Sequence, residues 1–280
     1  MNELQEIVTF EELRIARASL PEPVGFVPTM GFLHEGHLSL VKRACEQSAS
    51  VVVSIFVNPT QFAPTDDLDA YPRDLERDRE LLREAGVDLL WRPTPEEMYP
   101  PGFQTWVEVE EITKPLEGAK RPGHFRGVTT VVAKLFNAVQ PQMAFFGQKD
   151  AQQVAVIRRM VRDLNMPIEI VASPIIRERD GLAMSSRNTY LNEAERQAAS
   201  VLYKSLLAAQ SAYEEGERSA DSLRRIMEEI ITDEPLARLE YISCADYDSL
   251  EELDLISGKT LLSMAVYLGR TRLIDNLILG

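Results

Sequence analysis

From Val24 to about Ser173, short apolar runs alternate with amphipathic stretches. The runs VGFVP, SVVVSIFV, VDLLW, MAFFG and IEIVAS read as strands, and HLSLVKRACEQ, RDLERDRELLREAG, GVTTVVAKLFNAVQ and DAQQVAVIRRMVRDL carry apolar positions at helical spacing. Strands that are apolar without strict alternation are buried on both faces, so this succession predicts an α/β fold with a Rossmann-like, doubly wound parallel sheet. Such sheets take ligands beyond the carboxyl ends of their strands. After Ser173 the pattern changes to a loop, RERDGLAMSSRN, then helical segments near 193–231 and strand-like runs LEYISCADY and LLSMAVYL. These predict a second, smaller α+β domain, with the division at 1–175 and 176–280.

At 280 residues and 45% hydrophobic composition, the chain is long enough for a core in each domain. Cys45 falls in a helical pattern and Cys244 in a strand pattern, too few and too far apart for a disulfide framework or a zinc site. The N-terminus MNELQEIVTFEEL is acidic where a signal peptide is basic, and no run approaches about 18 uninterrupted apolar residues. A soluble, cytoplasmic protein with no membrane partner is expected. The net charge of -14 argues against a nucleic-acid partner, because phosphate backbones are bound largely by Lys and Arg. One segment departs from that balance: between Glu117 and Asp150 there is no acidic residue, while Lys120, Arg121, His124, Arg126, Lys134 and Lys149 fall within it. Such a run is either a solvated basic face or a pocket for a small polyanion.

The first strand leads into Pro28-Thr29-Met30-Gly31-Phe32-Leu33-His34-Glu35-Gly36-His37, and a helix is expected from about Gly36. Exposed N–H groups and the positive end of a helix dipole would draw an anion to such a turn. Gly31 and Gly36 match the glycine spacing of a Walker A loop, but His37-Leu38 stands where that loop needs Lys and Ser or Thr, and no Gly-x-Gly exists for a dinucleotide site. Instead the turn carries the pair His34 and His37. Imidazoles beside a phosphate can donate hydrogen bonds to charge that builds during attack; a buried pair or a metal pair is the alternative.

His34-x-Gly36-His37 after a first strand resembles the signature of the nucleotidyltransferase superfamily. The longer strings PTMGFLHEGHLSL, FVNPTQF, YPRD, RPGHFRGV, FGQKDAQQ and MSSRN, in that order, resemble the pantothenate synthetase (pantoate–β-alanine ligase) family across nearly the whole chain. The resemblance implies an enzyme that condenses pantoate with β-alanine, using ATP and Mg2+ and releasing AMP and pyrophosphate. It implies a homodimer in which 1–175 binds nucleotide and pantoate; because acyl adenylates hydrolyse easily, 176–280 is expected to close over them as a lid.

Carried onto this sequence, the resemblance gives ATP contacts at Met30, Gly31, Phe32, Leu33, His34, Glu35, Gly36, His37, Gly147, Gln148, Lys149, Asp150, Ile176, Met184, Ser185, Ser186 and Arg187. His34, His37, Lys149, Ser185, Ser186 and Arg187 are the catalytic set. Gln61, Asn58 and Gln153 are the pantoate and β-alanine contacts. Neutral amides suit a polyol acid, Lys149 is a point charge for phosphate, and hydroxyls with a guanidinium can grip phosphates. Arg121 and His124 are expected near the site, either touching substrate or ordering the loop. Asp78 is expected on the polar side of its helix, solvated or assisting Mg2+.

Overall fold

The computed structural model describes residues 4–62, 68 and 70–280, so the first three residues of the N-terminal segment lie outside it. The chain divides into two compact units, Met1–Gln148 with Gln153–Pro174, and Lys149–Gln152 with Ile175–Gly280.

The first unit contains β1 (Gln5–Ile7), α1 (Phe10–Arg17), β2 (Val24–Thr29), α2 (Glu35–Gln47), β3 (Ser50–Ile55), α3 (Leu75–Glu84) and β4 (Leu89–Trp91). Two short helices, α4 (Pro95–Met98) and α5 (Glu117–Lys120), precede α6 (His124–Val139), β5 (Met143–Gly147), α7 (Ala151–Asp163) and β6 (Glu169–Ser173). The six strands form one sheet, ordered β1-β4-β3-β2-β5-β6, and every pairing is parallel. β-Branched residues build its centre: Val51, Val52 and Val53 are almost wholly buried. The chain steps outward from β2 through β3 to β4, then returns to β5 and β6 on the other side. The strand order therefore reverses between β2 and β5, the point at whose carboxyl end sheets of this type take their ligands.

The turn after β2, at that point of reversal, is anchored in the core. Leu33 packs with Val27, Val41, Ala44, Val53, Leu82 and Phe145, so one side chain of the turn is held by α2, α3 and the sheet together. Arg43 of α2 donates from Nη1 to the carbonyl of Ala172 at 3.0 Å, which ties the helix to the end of β6.

In the second unit, α8 (Glu193–Ala198), α9 (Val201–Glu214) and α10 (Ala220–Thr232) are followed by β7 (Ala237–Asp246), β8 (Thr260–Leu268) and β9 (Thr271–Leu279). These strands form an antiparallel sheet in sequence order. Leu202 and Leu206 of α9 and Leu223 and Met227 of α10 share its core with Leu262, Met264 and Val266 of β8. Strand β9 has no counterpart among the runs read from the sequence, because Asp275 and Asn276, only 1% and 3% exposed, interrupt its apolar pattern.

Cys45 and Cys244 are free thiols, and burial pushes Cys244 up to about 11, so it is no nucleophile near neutrality. Among the described residues, no helix is long and apolar enough to cross a membrane.

Candidate active site

The two histidines cap the helix that carries them. His34 is the N-cap of α2 and His37 its third residue, so their spacing is that of a capping box built from imidazoles. His34 Nδ1 accepts the N–H of Gly36 at 3.1 Å, and His37 Nδ1 accepts the N–H of His34 at 3.4 Å. The ring centroids are 4.1 Å apart. Because Nδ1 of each neutral ring is an acceptor, the proton resides on Nε2, which makes each Nε2–H a hydrogen-bond donor. The spacing alone could have indicated this tautomer, since capping boxes need not be built from Ser and Glu.

The turn does not offer the bare amides expected of a phosphate loop. Gly31 N–H is bound to Thr29 Oγ1 at 3.2 Å, and Phe32 and Leu33 N–H are bound to Asp78 at 2.8 and 2.7 Å. With the Gly36 and His34 amides engaged in the caps, five N–H groups of the turn already have partners within the protein. An anion would therefore be met chiefly by side chains and the helix dipole. Phe32 sits at φ 51° and Gly31 at φ 84°, and the paired bonds to Asp78 hold this left-handed excursion in place.

Asp78 is accordingly not a solvated helix position. It is 2% exposed, and each carboxylate oxygen accepts one amide of the turn. Burial pushes its carboxyl above the ordinary range, against the pull of those two N–H groups. Sequence reading sees only the amphipathic period of α3, and the turn amides that Asp78 binds lie too far along the chain to be inferred from it.

A second cluster surrounds Gln61. Asn58 is 1% exposed and accepts from Tyr99 Oη at 2.8 Å and from Thr60 Oγ1 at 2.9 Å. Its amide donates to Gln61 Oε1 at 3.1 Å and to the Gly127 carbonyl at 3.2 Å. The Asn58 side chain thus meets protein partners on both its carbonyl and its amide, and through them it supports the Gln61 turn. Gln61 is half-buried, and its amide lies 3.3 Å from Met30 Sδ, next to the histidine turn.

Arg121 and His124 order that same turn. His124 Nδ1 lies 2.8 Å from the Gln61 carbonyl, so it carries the proton, and Nε2 is the acceptor for Arg121 Nη1 at 3.3 Å. Arg121 also reaches the Gln61 carbonyl at 3.4 Å. Gly127 permits the approach: a Cβ there would lie 2.4 Å from the Thr60 carbonyl oxygen and 2.8 Å from Gln61 Cα. Gly123, at φ 81°, starts α6 one residue before His124, so the helix begins earlier than its apolar pattern suggests.

Much of the basic run is packed rather than gathered into a polyanion pocket. Arg126 lies over Trp106 at 4.6 Å, and Lys134 lies over Phe103 at 4.9 Å and Phe10 at 5.7 Å. Burial lowers the Lys134 ammonium.

Gly147 and Gln148 lie at the carboxyl end of β5, beside the strand reversal, and Gly147 has open space around its Cα. Gln153 is half-buried on α7. In the second unit, Lys149 is half-buried and Asp150 exposed. The segment read as a loop is a hairpin, with Arg177 bridged to Ala183 and Met184 N–H bound to the Ile176 carbonyl at 2.9 Å. Ser185 accepts the Arg187 N–H at 3.3 Å and caps the short helical turn Ser186–Tyr190; Ser186 is buried. Among the described residues, no group of three His, Cys, Asp or Glu side chains is placed to hold a metal.

Residues 2–278 match the model of the family described as Pantoate-beta-alanine ligase. The chain is 58% identical over 277 residues to the pantothenate synthetase of Herpetosiphon aurantiacus, covering 99% of this chain and 100% of that one. The crystal structure of pantothenate synthetase from Thermus thermophilus matches with a TM-score of 0.94 at 52% identity, covering 98% of this chain and 99% of that one. The pantoate-beta-alanine ligase from Francisella tularensis, solved in complex with beta-gamma ATP and beta-alanine, matches with a TM-score of 0.80 at 34% identity, covering 99% of this chain and 98% of that one.

Proposed function

The chain belongs to the pantoate–beta-alanine ligase family, ATP-dependent enzymes of pantothenate biosynthesis, and we propose that it makes pantothenate through a pantoyl adenylate formed over the paired histidines. A carboxylate is a poor electrophile. The carboxylate of (R)-pantoate would attack the α-phosphate in line, expelling pyrophosphate and leaving AMP as the leaving group. The amine of β-alanine would then attack the acyl carbonyl, lose a proton and expel AMP. No protein nucleophile is required, so the residues position reactants and stabilise charge.

The observation that carries this reading is that the Nδ1 atoms of His34 and His37 cap α2, which assigns the proton of each neutral ring to Nε2 as a donor. Such donors are suited to the oxygens of the α-phosphate as charge grows there. Gln61 serves pantoate and the incoming amine, with Asn58, Arg121 and His124 holding its turn and Gln153 a further pantoate contact. Lys149, with Gly147, Gln148 and Asp150, serves the phosphates, as do Ser185, Ser186 and Arg187 on the hairpin with Ile176 and Met184. Met30, Gly31, Phe32, Leu33, Glu35 and Gly36 form the nucleotide-facing turn, and Leu33 acts through its backbone alone because its side chain is buried.

Mg2+ would supply charge screening on the phosphate oxygens. Excluding water from the acyl adenylate would be the part played by residues 176–280. A cytoplasmic homodimer belongs to the same proposal, and light scattering and cell fractionation test it.

The adenylation step is tested by exchange of labelled pyrophosphate into ATP. Exchange that needs pantoate but not β-alanine supports the pathway; exchange that requires the amine would exclude a free-standing pantoyl adenylate step.

A further inference from the structure

A buried polar network in the second unit takes part in none of the roles above. Arg177 meets Asp275 through two bonds, Nη1 to Oδ2 at 2.6 Å and Nη2 to Oδ1 at 2.9 Å. The same guanidinium donates to the carbonyls of Gly181 at 3.0 Å and Asn276 at 3.2 Å, and lies 4.0 Å from the Tyr203 ring centroid. Asp275 Oδ1 also accepts the N–H of Asn276 at 2.7 Å. From there the Asn276 side chain reaches back along the sequence and donates Nδ2–H to the carbonyl of Lys149 at 2.9 Å.

We propose that Asn276, held by the Arg177–Asp275 pair, is a positioning residue for Lys149, and that the same pair fixes the hairpin bearing Ser185, Ser186 and Arg187. The proposal rests on the reading of Lys149 as a phosphate contact. Anchoring the Lys149 carbonyl fixes the backbone from which its flexible four-carbon stem projects, and a displacement of about 1 Å there is enough to weaken transition-state contacts. The hairpin is fixed at its tip. Gly181, at φ +93°, brings its Cα so close to Tyr203 that a Cβ would lie 2.0 Å from the ring. Arg177 binds the Gly181 carbonyl while stacking on that same ring. Burying a carboxylate and an amide in the middle of a strand is a poor way to gain stability, since well-packed apolar residues serve as well or better. Orientation of Lys149 and the hairpin gives these polar residues a purpose.

The test is a double-mutant cycle on the full-length enzyme, reading pantoate-dependent pyrophosphate–ATP exchange. Asn276→Ala should lower the maximal exchange rate about tenfold, the effect of one lost positioning hydrogen bond, with the pantoate KM within about twofold of wild type. In a Lys149→Ala background, Asn276→Ala should cost less than about twofold, because the residue it orients is gone. Asn276→Leu nearly keeps the volume, adds no charge and removes the donor, and should reproduce the tenfold loss if the alanine variant unfolds. An equal loss in both backgrounds would mark a merely structural residue and overturn the proposal, as would undiminished exchange in Asn276→Ala and Asn276→Leu. Undiminished exchange in Lys149→Ala would instead overturn the phosphate role of Lys149 and, with it, the positioning role of Asn276.

Discussion

Replacing Gly127 by alanine should damage the enzyme although alanine is the better helix former. Gly127 lies within α6, where the exchange by itself is worth about 0.5–1 kcal/mol in favour of alanine. Its new Cβ, however, would stand 2.4 Å from the Thr60 carbonyl oxygen, 2.6 Å from the carbonyl carbon and 2.8 Å from Gln61 Cα. Non-bonded carbon and oxygen normally stop at about 3.4 Å, so the turn must retreat by about 1 Å. All three obstacles are backbone atoms, and no rotamer change relieves them. Overpacking of this kind costs about 1–3 kcal/mol, which outweighs the helix gain. The retreat also strains the bond from Asn58 to the Gly127 carbonyl and carries Gln61 away from its position. A shift of about 1 Å in a positioning group lowers turnover by about a hundredfold. Denaturant unfolding and pantoate-dependent pyrophosphate release measure the two effects separately. A Gly127→Ala enzyme that is more stable than wild type and fully active would refute this reasoning.

Three further outcomes are expected. His37→Ala removes one donor to the α-phosphate and should reduce pyrophosphate release by about two to three powers of ten with the fold retained; near-normal release would take His37 out of the chemistry. Gln61→Ala should raise the pantoate KM and leave the ATP KM nearly unchanged, and equal effects on both would misplace the acid pocket. Glu6 accepts from Arg79 Nε at 2.6 Å and from Arg92 Nε at 2.6 Å, and the bond from Arg79 is the main reason its carboxyl lies below the ordinary range. A depressed carboxylate contributes stability above its unfolded pKa and loses it as pH falls through the folded one. Glu6→Gln should therefore be less stable than wild type at neutral pH and converge on it as pH falls through and below the depressed carboxyl of Glu6; a constant difference would assign the effect to packing.

The parallel sheet was legible because Val51, Val52 and Val53 and the run Met143–Gly147 are apolar on both faces, and only a strand covered by helices on both sides uses such sequences. The histidine turn was legible from its place between β2 and α2. What escaped was long-range. Asp78 looked like an ordinary polar helix position, yet its partner Leu33 lies 45 residues away. Arg126 and Lys134 belong to a run that reads either as a solvated basic face or as a polyanion pocket, but aromatic rings elsewhere in the chain pack against them. Strand β1 has only three residues, too few to show a period. Strand β9 was hidden by Asp275 and Asn276, whose burial makes sense only once Arg177 and the Lys149 carbonyl are beside them.

The most direct test is the product balance with ATP, Mg2+ and pantoate, followed with and without β-alanine. AMP and pantothenate should form in equal amounts only when β-alanine is present, with pyrophosphate limited to a single turnover in its absence. Pyrophosphate that accumulates catalytically without any amine would contradict a ligase that holds its adenylate until β-alanine arrives.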